Sequence, residues 1–246
     1  MRRKYLNLLV LITSLSIVST SCSKDNDKSD DAVKIITTAK FNPNVSYGNM
    51  TDQDGNIYKT ITIGTQTWMA ENLRTTTYND GTSIPIVTED NKWEALTTGA
   101  YCNYNNTIGK DTIATYGHLY NWYAVNTGKL APIGWHVPSD AEWGILIAHL
   151  GNQDEAGNKL SETGTTHWNY YNKATNECGF TALPGGKRFS HGSFSFLGTN
   201  GFWWSSTTNN SYSIDYSWFV LIDANQDVSR NFTIRKEGFS VRCIRD

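Results

Sequence analysis

Apolar side chains recur along this chain in three rhythms, and each rhythm predicts a different element. The first is a nearly continuous run from Leu6 to Val18, interrupted only by Asn7, Thr13, Ser14 and Ser16. It is too short and too polar for a permanent membrane span. Arg2, Arg3 and Lys4 precede it and Ser19, Thr20 and Ser21 follow it, which is the layout of a signal peptide over residues 1–21. The second rhythm has a period of two. Ile57-Tyr-Lys-Thr-Ile-Thr-Ile63 predicts a strand with Ile57, Lys59, Ile61 and Ile63 on one face, entered through an Asp52–Asn56 turn. The third is helical. Ala114 to Val125 sets Leu119, Trp122 and Tyr123 at helical spacing, and Asn126 and Gly128 provide a stop. A second helix is better marked. Ser139-Asp-Ala-Glu142 is a capping box, Trp143, Leu146, Ile147 and Leu150 fall at i, i+3, i+4 and i+7, and Gly151 closes it. From Phe180 onward the pattern breaks into short strands at 182–186, 202–207, 216–222 and 238–244. In the last of these, alternation directs Phe239, Val241 and Cys243 inward and leaves Ser240, Arg242 and Arg245 more exposed.

Cys22 directly follows the small residues, so the junction resembles a lipobox, although Ser19 stands where leucine is usual. Lipid on Cys22 anchors a protein to a membrane without spanning it. Ser23 to Asp31 is charged and almost free of apolar side chains, as a flexible tether should be. The expected organisation is a signal peptide over 1–21, a lipidated Cys22 and tether over 22–49, and one globular domain over 50–246. Acidic residues right behind the anchor resemble the signal that sends some lipoproteins to the outer cell surface. That makes an outer-membrane, surface-exposed lipoprotein the expectation.

Removing residues 1–21 takes away three positive charges and no negative ones, so the formal charge moves from −2 to −5. The remaining Lys and Arg are dispersed, which argues against nucleic acid as a partner. The 9 Trp, 13 Tyr and 9 Phe, set among abundant Gly, Asn, Ser and Thr, fit an extracellular, turn-rich module.

Candidate chemistry is sparse, and no cofactor is expected. Cys102, Cys178 and Cys243 are too far apart for a metal knuckle or a redox pair, and one disulfide with one free thiol is the simplest arithmetic. Asp52, Asp54 and Asn56 open like a calcium loop, but the twelve-residue pattern lacks its closing Glu and runs into a strand. Asp140 and Glu142 are accounted for by the helix N-terminus. His149 lies beside the apolar stripe of its helix and reads as a surface residue. His136 has no nucleophile elbow to serve, so a structural hydrogen bond is its expected role. Catalysis is therefore not expected.

Seven pieces occur in order: Ile63-Gly-x-Gln-x-Trp-Met-Ala-Glu-Asn-Leu73, Tyr101-Cys-x-Tyr-Asn-Asn106, Leu119-Tyr-Asn-Trp-Tyr-Ala-Val125, Gly134-Trp-His-Val-Pro-Ser-Asp-Ala-Glu-Trp143, Gly179-Phe-x-Ala-Leu-Pro-Gly-Gly186, Trp203-Trp-Ser-Ser-Thr207 and Gly238-Phe-Ser-Val-Arg-Cys-Ile-Arg-Asp246. Together they resemble the Fibrobacter succinogenes major paralogous domain of secreted and lipid-anchored proteins in Fibrobacter and Bacteroidota. The resemblance implies an α+β, C-type-lectin-like fold shared with formylglycine-generating enzymes, with two helices packed on twisted antiparallel sheets of short strands. Oxidase chemistry on that fold needs two nearby cysteines, and only Cys243 occupies the last 60 residues. Calcium lectins of the fold use Glu-Pro-Asn and Trp-Asn-Asp, and neither tripeptide is present. Because Cys102 and Cys243 fall inside family motifs, the resemblance also implies a Cys102–Cys243 disulfide with Cys178 free.

Two functions stay open: a binding module for glycan or another extracellular polymer, or a structural or adhesive envelope protein with a protein partner. Neighbouring Trp203 and Trp204 on a strand must face opposite ways, so at least one is core. Binding is expected in the stretches between motifs. Thr166–Tyr171 and Asn209–Tyr216 supply Trp168, Tyr170, Tyr212 and Asp215 as candidates for one shared surface. The aromatics would stack on sugar and the carboxylate would orient hydroxyls.

Overall fold

The computed structural model describes residues 37–170, 173–211 and 215–246. Asp52 sets the first turn. Its carboxylate accepts the backbone N–H groups of Asp54 at 3.0 Å and Asn56 at 2.9 Å, and the Tyr58 hydroxyl at 2.6 Å. That turn joins β1 (Gly48–Thr51) to β2 (Ile57–Ile63), and Gly64, at a φ of 60°, turns β2 into β3 (Gln66–Met69). With β6 (Trp135–His136) and β12 (Ile244–Arg245) these form one antiparallel sheet, ordered β1-β2-β3-β12-β6. The strand spans the residues that alternation predicts, with Ile57 62% exposed at its start and Tyr58 and Thr60 buried on the other face. Both faces of this strand are partly covered.

Among the described residues, five α-helices pack around the sheets: α1 (Asp90–Glu94), α2 (Lys110–Tyr116), α3 (Trp122–Val125), α4 (Asp140–His149) and α5 (Gln153–Leu160). The Ser139/Glu142 capping box starts α4, and Trp143, Leu146 and Ile147 are buried as the periodicity predicts. The single helix expected over Ala114–Val125 is instead broken. Gly117 adopts a φ of 72° with its Cα against Asn72 and Leu73, where a side chain would not fit. Leu119–Tyr120 (β5) then pairs with Tyr101–Cys102 (β4), and Asn121 caps α3.

The second sheet holds β7 (Gly185–Arg188), β8 (Phe194–Leu197), β9 (Gly201–Asn209), β10 (Tyr216–Ile222) and β11 (Val228–Ile234). Its order is β11-β10-β9-β7-β8, antiparallel except where β7 meets β9. Both faces are covered, so Trp203 and Trp204 are both core. Trp203 packs with Trp68, Trp143 and the residues of α4 and α5, whereas Trp204 packs with Phe202, Phe219 and Phe239. The architecture is α+β.

Three sequence readings change here. Residues 37–49 are packed rather than free: Thr38 bonds Thr115, the Lys40 N–H bonds Glu162, the Tyr47 hydroxyl donates to the Gly179 carbonyl, and Phe41 and Val45 cover core residues. The folded chain thus begins well before Met50. Arg242, expected near the surface, is fully buried; it donates to the Thr181 carbonyl and Asn72 Oδ1 at 2.9 Å each, and to the Phe180 carbonyl. The Cys102–Cys243 bridge is absent, and all three thiols are free. Cys102 sits in a small cluster with Trp93 and Leu119, while Cys243 sits in the main core. Burial pushes the Cys102 thiol up to about 12 and raises that of Cys243 strongly, so both stay protonated. Cys22 lies outside the described residues.

Candidate functional site

A cleft of about 360 Å³ opens where α3 meets the ends of β10 and β11, lined by Glu94, Tyr123, Ser190, Asp215, Ile234, Arg235 and Lys236. Pairing of Tyr216 with Ile234 brings Asp215 and Arg235 together at the end of the ribbon. The Arg235 N–H donates to the Asp215 carbonyl at 2.9 Å, and their side chains form an ion pair at 3.3 Å. Arg235 is held in place twice more, stacked 4.4 Å from the Trp122 ring and bonded to Ser217 Oγ at 3.3 Å. Lys236 spends one donor on the Glu94 carbonyl at 2.7 Å. Tyr123, half buried on α3, has its pKa raised by burial and by the Asp215 charge, with Arg235 opposing. The cleft therefore combines one aromatic ring with a fixed carboxylate and guanidinium and a hydroxyl.

A separate aromatic strip lies on the opposite face of the ribbon, the face that carries Val220 and Ile222. Phe232, 38% exposed, meets Tyr216 at 5.9 Å and its cross-strand partner Trp218 at 5.7 Å, edge to face in both cases. Tyr216 and Trp218 are half buried.

Of the four residues predicted to share a surface, Asp215 lies in this cleft and Tyr212 lies outside the described residues. Tyr170 is 61% exposed. Trp168 is the correction: it is 1% exposed, packs in the core beside Phe180 and donates to the Ala182 carbonyl at 3.3 Å. A ring so enclosed cannot be a sugar platform. Sequence reasoning missed Tyr123 and Arg235 as residues of the cleft.

Two constellations elsewhere look like chemistry. Thr38 Oγ1 lies 2.9 Å from His167 Nε2, and His167 Nδ1 lies 2.6 Å from the buried Glu162 carboxylate. This is the spacing of a nucleophile, base and orienting acid. Yet the backbone N–H of Thr38 is spent on Thr115, that of Ala39 on Thr37 and that of Lys40 on Glu162. That segment offers no donor for an oxyanion. The network instead fastens residues 37–40 to the domain.

His136 is the second. Its Nδ1 is 2.7 Å from Asp246 Oδ1 and its Nε2 is 2.8 Å from Glu142 Oε1. Burial opposes the charged ring, but the two carboxylates outweigh it and raise the His136 pKa above 6.5. The stabilisation His136 adds is complete below that ordinary value and is lost as pH climbs through the raised one. Relative to His136→Gln, the native protein should have its largest Tm advantage below about pH 6.5 and lose it as the pH rises through the raised value. A difference that stays constant across that window would contradict the doubly bonded, charged ring. Among the described residues, no group of His, Cys, Asp and Glu is placed to hold a metal ion.

The sequence profile of the Fibrobacter succinogenes major domain matches residues 61–245. The chain belongs to that family. No curated protein and no solved structure matches it. The matched Fibrobacter succinogenes major domain takes in β3, all five helices, the second sheet and every residue of the cleft. Residues 37–60, with β1 and most of β2, precede the match.

Proposed function

We propose that this protein is a cell-envelope lipoprotein, held at the outer membrane by lipid on Cys22, whose domain is a non-catalytic binding module for glycan. The observation that carries the binding reading is the cleft itself. Tyr123 supplies an aromatic face beside Asp215, Arg235 and Ser190, the combination that stacks on a sugar ring and orients its hydroxyls. The spent backbone N–H groups of Thr38, Ala39 and Lys40 and the structural engagement of His136 support a non-catalytic role. The C-type-lectin-like assignment is supported by α4 and α5 followed by a curled sheet, and by a Gly238-Phe-Ser-Val-Arg242 segment that leads into β12. The anchor rests on the run from Arg2 to Cys22, and among the described residues no helix is long and apolar enough to cross a membrane.

One preparation tests both halves. Cys22→Ala should move the protein from the membrane to the soluble fraction, and retention after a salt wash would refute the lipid anchor. On a glycan array the released protein should give saturable signals, and Tyr123→Ala and Asp215→Asn should each weaken them about tenfold, or about 1.4 kcal/mol. A blank array would overturn the glycan reading in favour of a protein partner.

A further inference from the structure

We infer that the hairpin of β7 and β8 carries a second subsite for the same glycan, centred on the exposed ring of Phe196, so that the domain holds a chain at two points. This rests on the glycan reading above and extends it.

The backbone re-aims that ring. Strand pairing matches Gly185 with Leu197 and Lys187 with Ser195, and passes over Gly186 and Phe196. Both skipped residues are left-handed, at φ values of 65° and 69°. Glycine adopts that conformation freely, whereas a bulky aromatic residue rarely does. In a regular ladder Phe196 would share a face with Phe194, which packs against Tyr104 at 5.4 Å. The kink instead carries its ring to the Lys187 side, 6.2 Å from Phe189 and 5.7 Å from Phe202. The Phe196 carbonyl accepts the N–H groups of Thr199 at 3.1 Å and Asn200 at 3.0 Å, which holds the kink. The ring remains 40% exposed, so core burial does not account for the strain. Kinks that redirect a single side chain mark functional surfaces.

The surroundings repeat the chemistry of the cleft. Lys187 Nζ lies 4.1 Å from the centre of the Phe189 ring and 3.0 Å from Glu237 Oε2. A fixed donor and acceptor thus stand beside aromatic rings, as Arg235 and Asp215 stand beside Tyr123. Rings stack on the C–H face of a sugar while such pairs orient its hydroxyls.

Strand pairing puts the two sites on one face of the second sheet. Ser217, Phe219 and Leu221 alternate onto that face of β10. Arg235 of the cleft bonds Ser217 at 3.3 Å, and Phe202, against which Phe196 packs, is the cross-strand partner of Leu221. From residue 217 to residue 221 the strand advances about 13 Å. Neighbours in sequence serve both sites: Ser190 and Lys236 line the cleft, while Phe189 and Glu237 belong to the hairpin cluster. The separation exceeds one sugar ring, so only a chain of several units reaches both.

The test titrates the Cys22→Ala protein by calorimetry with the disaccharide and the hexasaccharide of the cello, xylo, manno and chito series. At least one hexasaccharide should bind about tenfold or more tighter than its own disaccharide. Phe196→Asn should remove that advantage and leave disaccharide binding unchanged, because asparagine tolerates the left-handed kink but has no ring. Tyr123→Ala should weaken both lengths. Phe196→Leu, which keeps apolar bulk without a ring face, replaces Phe196→Asn if circular dichroism shows loss of fold. Equal affinity for the two lengths, or a length advantage that survives removal of the ring, would overturn the second subsite and leave the glycan reading standing. Failure to bind any probe would overturn this inference together with the reading beneath it.

Discussion

Replacing Arg242 with methionine is expected to cost the domain about 3–5 kcal/mol and lower its Tm by about 10 °C or more. The guanidinium is fully buried, yet the oxygens it bonds are uncharged: the carbonyls of Phe180 and Thr181 and the side-chain amide of Asn72. It also stacks on Phe180 at 4.3 Å. Burial pulls its pKa down to about 9 and Glu71 pulls it back up, so it stays charged at neutral pH. Methionine fills much of the volume and relieves the cost of a buried charge, but it leaves two backbone carbonyls without donors. Each orphaned carbonyl costs about 1–3 kcal/mol. Asn72 is less affected, because its oxygen keeps the Trp203 indole N–H at 2.9 Å. Lysine should not rescue the fold, since one ammonium cannot reproduce the planar fork. A thermal melt of Arg242→Met superimposable on the native one would refute this account.

Gly157→Ala separates local from tertiary effects by sign. Gly157 lies inside α5, where alanine should gain about 1 kcal/mol of helix propensity. The structure predicts the opposite outcome. A Cβ at Gly157 would overlap the Gln226 carbonyl in the turn between β10 and β11 and come within 3.2 Å of Val228. Helix and turn are in backbone contact, so both would have to move. Overpacking of that kind costs about 1–3 kcal/mol and sometimes more. The urea midpoint should fall with little change in slope, because the surface exposed on unfolding stays the same. A rise in the midpoint would show that α5 does not sit this close to the turn.

These two residues also show what the sequence could and could not convey. The capping box of α4 was legible because Ser139 and Glu142 satisfy each other within one turn of chain. The break at Gly117 was hidden, since its cause is Asn72 and Leu73, more than forty residues away. Arg242 was misplaced because strand alternation assumes water on one face, and this segment has protein on both. Asp215 could be singled out because a polar residue in an aromatic loop is visible in sequence. Arg235, its partner, joins the cleft only through strand pairing. Trp168 failed for the converse reason: its neighbours are polar, but the chain folds that indole inward against Phe180 and the α4 residues.

The place of β12 bears on how the protein is made. Ile244 pairs with Trp68 on one side and His136 on the other, so a residue more than a hundred positions after both forms an interior position of the first sheet. On a ribosome, β3 and β6 emerge long before the strand that must lie between them. The first sheet can close only after residue 244 has been synthesised and delivered. Until then Trp68 and its neighbours lack their partner, and the nascent chain is held open by its own topology. Pairings between distant stretches close slowly. That delay leaves the first sheet as the last part of the domain to close.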